Sequence, residues 1–270
     1  MTSPADVPQD SLPQDSLAAA SPAERARRPI SPTALLLLLA WLASGAALAA
    51  EAGPAGPVTF AFVITGWLLS VMAHEFGHAV VAWWGGDHTV EAKGYLTLDP
   101  LRYMDSMTSL ILPVVVLAIG GIGLPGGAVY LRPDLMRGRL WRSASSLAGP
   151  VGTLAVLLAL AAVLWATPAP GPFAAAVSFL AFLQATALIL NLLPVPGLDG
   201  YGVVRPFLPP ALDRLLRPVE GLAFLALVAV MFMVPAVGGL LFGAAFALSR
   251  TLGVDPQGVA AGWAAFQFWR

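Results

Sequence analysis

The chain is 270 residues long, 58% hydrophobic and only 11% charged, with a mean hydropathy of +0.79, which excludes an ordinary soluble globular domain and places the chain in lipid. Lys and Arg number 14 against 15 Asp and Glu, a net charge of -1, so no basic surface for nucleic acid organises the molecule. With no cysteine, disulfides, thiolate nucleophiles and Cys-ligated metals are all excluded, and any metal must be held by Asp, Glu or the 3 histidines.

Residues 1–32 are rich in Pro, Ser, Asp, Gln and Ala and contain a tandem repeat, Pro8-Gln-Asp-Ser-Leu12 followed by Pro13-Gln-Asp-Ser-Leu17. Such a segment cannot bury enough apolar area to offset ordering, and a disordered cytoplasmic tail is expected. Arg25, Arg27 and Arg28 then meet an apolar run over 33–50. That run is long enough for a retained span, but Ala47-Leu-Ala49 also resembles a signal-peptide cleavage site. Either way the next segment enters from outside.

The remaining apolar stretches cover 58–84, 107–130, 143–166, 173–196 and 219–252. The last is long for one pass and carries Pro235 and Gly238-Gly239, which predicts a helical hairpin. If the tail is cytoplasmic, the connections near 51–57 and 167–172 and the bend at Pro235 face outward without a Lys or Arg, and every cation can sit inside. Under that assignment Lys93 and Arg102 on one flank of 107–130 and Arg132 to Arg142 on the other are both cytoplasmic. The stretch is too short for two spans, and its centre, Gly120-Gly-Ile-Gly-Leu-Pro-Gly-Gly127, is a good turn, so a re-entrant hairpin is predicted, the alternative being an ordinary span. Alternation of Val90 and Ala92, then Leu96 and Leu98, around Lys93-Gly94 predicts a small interfacial β-hairpin over 88–105. Trp83, Trp84 and Trp141 on one side and Trp165 on the other are placed as interfacial anchors, and 256–270 as an interfacial C-terminal tail. The fold expected is thus an all-α polytopic membrane protein of about six transmembrane helices, membrane-embedded over 33–255.

The chemistry is confined to few residues. His74-Glu75-Phe-Gly-His78 lies inside the second span. On a helix, residues four apart share a face, so both imidazoles can converge on one metal while Glu75 stands beside it as acid and base, the pattern of a zinc hydrolase. A catalytic zinc normally has a third protein ligand. Asp199 is the remaining intramembrane acid, and Pro194, Pro196 and Gly197 would break the helix before it and let it turn back toward the bundle. Asn191 is either a donor to a developing oxyanion or an interhelical hydrogen-bonding residue. His88 is read as a surface residue.

His74-Glu75-x-x-His78 followed by Asn191-x-x-Pro194-x-x-x-Leu198-Asp199-Gly200 resembles the site-2 protease family of intramembrane zinc metalloproteases, over roughly residues 58–206. The resemblance implies Zn2+ held by His74, His78 and Asp199, Glu75 as general base and acid, and Asn191 assisting near the oxyanion. It further implies a transmembrane protein substrate whose extended segment docks by strand addition near the hairpin. Where that family carries Gly-Pro and then Asn, this chain reads Gly149-Pro150-Val-Gly-Thr153, which puts a polar role for that position in question. No inserted PDZ-like domain fits within 167–172, and no CBS-like module fits after Arg250, so a compact form is expected. The alternative to a protease acting on membrane proteins is a polytopic metal transporter or a non-catalytic metal-binding scaffold. Outside the five residues of the candidate site the spans read as almost wholly apolar, which disfavours transport. The Arg-rich, Lys-poor and Ala-rich composition suits a GC-rich bacterial genome, and the expected location is the bacterial cytoplasmic membrane. The oligomeric state is open.

Overall fold

The computed structural model describes residues 31–100, 129–167 and 169–270. Residues 1–30 of the tail expected over 1–32, the distal part of the β-hairpin and nearly all of the re-entrant segment lie outside the described residues.

Helix α1 spans Pro32–Ala49, with Ser31 as its cap: the Ser31 hydroxyl accepts from the Ala34 amide at 3.0 Å, and proline fills the first helical position, where no N–H is needed. One face is a stripe of exposed leucines, Leu35, Leu36, Leu38, Leu39 and Leu42, suited to acyl chains rather than water. The opposite face packs on α2, Ala55–Gly85, where Trp41 stacks on Phe62 with ring centroids 5.3 Å apart. At 31 residues α2 is about 46 Å long, more than a bilayer's hydrocarbon thickness. It ends on Gly86, whose φ of +115° lies in the left-handed region that glycine adopts without strain.

The stretch after α2 corrects one expectation. No strand occurs among the described residues, and in place of a β-hairpin the chain forms a single helical turn, α3, Thr89–Ala92, followed by turns around Gly94. The cause is Asp87. Its Oδ1 accepts from the Thr89 amide and hydroxyl at 3.1 and 2.6 Å, an Asx-type nucleus for a helical turn, while its Oδ2 accepts from the Arg132 amide at 2.7 Å. Val90 and Tyr95 are buried, so the apolar residues are used by a turn that tucks under the bundle, whereas an isolated two-stranded hairpin is only marginally stable.

Helix α4, Arg139–Ala166, contains Pro150 and crosses α2 closely. Helix α5, Pro172–Leu192, is buried along nearly its whole length and is the central post of the bundle. Short α6, Asp199–Val204, and α7, Pro210–Leu216, lead into α8, Glu220–Met233, and the chain breaks at Val234 before α9, Pro235–Thr251. Helix α10, Pro256–Phe266, follows at 118° to α9. Among the described residues, five helices are long and apolar enough to cross a membrane, α7 and α8 counting as one over Pro210–Met233, or up to six if the bent α9 and α10 pair counts as one. It is an all-α multi-pass membrane protein.

The contacts define two ends. At one end lie Ser31, which reaches the Leu98 carbonyl, the C-terminus of α2, the start of α4 and the α5–α6 turn. At the other lie the α1–α2 and α4–α5 connections. The Arg137 amide donates to the Gly85 carbonyl at 2.8 Å, so both flanks of the 101–128 stretch do meet at one end. The orientation expected for 219–252 is corrected. Met231, Leu190 and Leu241 form one cluster and Val237 packs with it, so the break at Pro235 sits beside the site end of α5. From there α9 runs antiparallel to α5, the tilted rings of Phe246 and Phe182 packing with centroids 4.3 Å apart, and reaches the opposite end, where Gly253 lies against Trp165. Arg250 is therefore at the end that was expected to lack cations. The proline was read correctly as a break, but α8 begins against Gly197 and ends beside Leu190, so both its ends stay at the site end and it does not form the outgoing arm of a hairpin. The residues after 256 form a docked helix: Gly262 lies against the Ala175 carbonyl, and Phe266, fully buried, packs against Phe60, Phe179 and Trp263.

Candidate metal centre

Helix α2 presents His74, Glu75 and His78 on its buried side about two-thirds of the way along, and all three are almost fully enclosed. Helix α4 can cross at this level only because small residues line the contact. A Cβ added at Gly149 would lie 2.2 Å from His78 Nε2 and 2.6 Å from His74 Nε2. One added at Gly77 would lie 2.5 Å from the Ala148 carbonyl oxygen, and one at Gly152 would lie 2.7 Å from that of Ala73.

The carboxylate arrives from the far side. Helix α5 ends at Leu192, Leu193 is extended, and the chain passes Pro194 and Pro196 to Gly197, whose φ of +94° reverses it. Asp199 then opens α6, and Gly200 allows this turn to close, since a Cβ there would sit 2.3 Å from the Leu192 carbonyl oxygen. Asp199 Oδ2 lies 3.1 Å from His74 Nε2, its Oδ1 lies 3.3 Å from His78 Nε2, and the two Nε2 atoms are 3.0 Å apart.

Hydrogen bonding of the outer ring nitrogens is compatible with free Nε2 lone pairs on both rings. His78 Nδ1–H donates to the Ser145 carbonyl at 2.7 Å, and that acceptor leaves Nε2 as the lone-pair nitrogen of a neutral ring. His74 Nδ1 pairs with Thr153 Oγ1 at 2.9 Å, which a neutral ring with a free Nε2 satisfies in the same way. With both rings in that tautomer, two imidazole lone pairs and a carboxylate converge on one point, an arrangement that a cation at its centre would satisfy. A tetrahedral zinc with bonds of about 2.0–2.1 Å separates its ligand atoms by roughly 3.3 Å, close to the spacing here. His74, His78 and Asp199 could hold a zinc ion, and they are the group of that kind among the described residues.

Glu75 stands next to this trio with Oε2 accepting from the Val129 amide at 3.1 Å. Asn191, also buried, lines the same cavity of about 280 Å³ as the trio, Glu75, Val129 and Leu131. His88 is exposed, packs edge-on against Trp83 at 5.7 Å, and takes no part.

The structure adds residues that the sequence did not disclose. Thr153, the departure from the expected asparagine, has a polar role after all, as the partner of His74. Ser70 and Gln184 are exceptions to the reading of the spans as almost wholly apolar. Both are buried and line the cavity, the Ser70 hydroxyl donating to Gln184 Oε1. Gln184 Nε2 has no hydrogen-bond partner among the described residues. A signal existed: Ser70 precedes His74 by one helical turn, and Gln184 precedes Asn191 by two.

Known proteins resemble this chain. It is 48% identical over 213 residues to the protein named "Putative zinc metalloprotease Rip2" of Mycolicibacterium smegmatis, an alignment covering 78% of this chain and 81% of that protein. The protein of the same name from Mycobacterium tuberculosis is 48% identical over 212 residues, with the same coverage. "Putative zinc metalloprotease YwhC" of Bacillus subtilis is 28% identical over 183 residues, covering 64% of this chain and 81% of that one. No family model and no solved structure matches the chain.

Proposed function

Given that the chain belongs to the site-2 protease family of zinc metalloproteases, we propose that it is an intramembrane endopeptidase hydrolysing peptide bonds within or near the transmembrane segments of membrane-protein substrates. The observation that carries this reading is the convergence of His74, His78 and Asp199 beside Glu75 in a cavity enclosed by membrane-crossing helices.

A zinc ion held by His74, His78 and Asp199 would supply Lewis acidity, polarising a carbonyl and acidifying water. The chain's own residues do the rest. Glu75, hydrogen-bonded through Oε2 to Val129, keeps carboxylate lone pairs with which to take the proton of attacking water and deliver it to the leaving amine. Asn191 carries the carboxamide donor to the same cavity, where it can bind oxygen as negative charge develops on the substrate carbonyl. Ser145 and Thr153 hold the imidazoles in the tautomer that keeps both Nε2 atoms available. A helical substrate hides its carbonyls in internal hydrogen bonds, so a bound span must unwind locally, and helix-breaking residues in it lower that cost.

Positive charge supports the orientation. Lys93, Arg132, Arg137, Arg139, Arg142 and Arg205 gather at the site end, a bias that supports a reading with that end and the N-terminus in the cytoplasm of a bacterial cell, Arg250 and Arg270 being exceptions to it. The test is cleavage of a single-span substrate in liposomes. Glu75→Gln is expected to keep its zinc and lose turnover by at least about a hundredfold, in line with removal of a general base. Undiminished cleavage by that variant would remove the protease reading.

A further inference from the structure

We propose that Gln184 is a substrate-positioning residue, whose carboxamide N–H donates to a backbone carbonyl of the unwound substrate on the side of the scissile bond that lies deeper in the membrane. The inference rests on the protease reading and extends it to how the substrate is held.

Three observations point to it. Gln184 is 1% exposed yet lines the cavity that contains the candidate ligands. Its oxygen is already engaged by the Ser70 hydroxyl, which sets the orientation of the carboxamide, while its amide nitrogen has no partner among the described residues. Its amide nitrogen is thus an unpaired donor in the cavity that a substrate must enter, and an acceptor that arrives with the ligand would satisfy it. A substrate backbone opened for attack is the acceptor the proposed reaction must bring, because carbonyls released from helical pairing need new donors in lipid.

Position gives the contact its register. Gln184 and Asn191 are two turns apart on α5, an axial rise of about 10 Å. An extended chain covers that in roughly three residues, so the carbonyl bound by Gln184 is about three residues from the bond cut beside Asn191. Such a contact holds the ground state and the transition state alike, and its loss is read mainly in KM.

The experiment uses the full chain, zinc-loaded and reconstituted in liposomes with a synthetic single-span probe: a Leu/Ala helix interrupted by Asn-Pro and labelled with a different fluorophore at each end. Gln184→Met, which keeps length and loses the donor, should raise KM about five- to tenfold with kcat within about twofold of the parent. Ser70→Ala should do the same more weakly, and the double variant should be no worse than Gln184→Met alone, because the serine acts through the glutamine. Zinc content and thermal midpoint should match the parent in all three. Unchanged KM in Gln184→Met, with the parent active, overturns this contact and leaves the protease reading standing. Loss of zinc or of the folded state in Gln184→Met makes the residue structural and also overturns it. Failure of the zinc-loaded parent to cut the probe removes the protease reading and this contact with it.

Discussion

At the scale of single residues, the chemistry of metal binding makes part of the site legible and leaves part hidden. Histidines one turn apart with a glutamate between them, and an aspartate after a proline-broken helix, are residue types that few other roles in lipid require, and the structure brings His74, His78 and Asp199 within 3.3 Å of one another. Thr153 and the Ser145 carbonyl were not legible as imidazole partners, because that role depends on how α2 and α4 cross and not on either sequence alone. The same crossing explains Gly149, which lies so close to both rings that any side chain would displace them. Thr153→Val keeps the shape and removes the oxygen facing His74, so zinc affinity should fall about 10- to 100-fold, as measured by competition with a chromophoric chelator. Thr153→Ser should restore it, and equal affinity in the valine variant would show that His74 needs no such partner.

At the scale of elements, apolar length located the helices well, because a chain in lipid must satisfy its backbone internally and helices are how it does so. The segment after α2 was misread because an alternation four residues long fits one helical turn as well as a strand, and the choice is made by a side chain outside the pattern, Asp87. Asp87→Ala would leave the Thr89 and Arg132 amides without that acceptor, and both should exchange with deuterium faster, by at least about tenfold. Asp87→Asn, which retains a carbonyl oxygen, should lie between. Unaltered exchange in the alanine variant would mean that the turn is held by packing of Val90 and Tyr95 alone. Helix α10 escaped the sequence reading for a related reason. Its aromatic residues suit an interface, but the small face at Gly258 and Gly262 that docks it on α5 is recognisable only against its partner, Ser178 and Ala175.

At the scale of the whole molecule, the crossing pattern follows from contacts that charge counting could not supply. Placing every cation on one side required the 219–252 stretch to go out and return, whereas the packing of Leu241 by Leu190, Phe246 by Phe182 and Gly253 by Trp165 carries α9 to the opposite end. The positive-inside rule is a bias summed over loops, and single arginines next to a helix end do not decide it. The absence of cysteine makes the arrangement open to labelling. Single cysteines at Ala52 and Arg250 should react with an impermeant maleimide from the same face of sealed vesicles, and one at Arg139 from the other. Reaction of the Arg250 variant together with Arg139 would contradict the crossing of α9.

The site joins that architecture into one functional unit, since its ligands come from α2 and from the turn after α5, and nothing but the folded bundle unites them. Zinc stoichiometry of the purified chain, parent against Asp199→Ala, tests this most directly. One zinc per chain in the parent and in Glu75→Gln, with loss from Asp199→Ala, is the predicted result. Equal zinc retention in Asp199→Ala and the parent would contradict it.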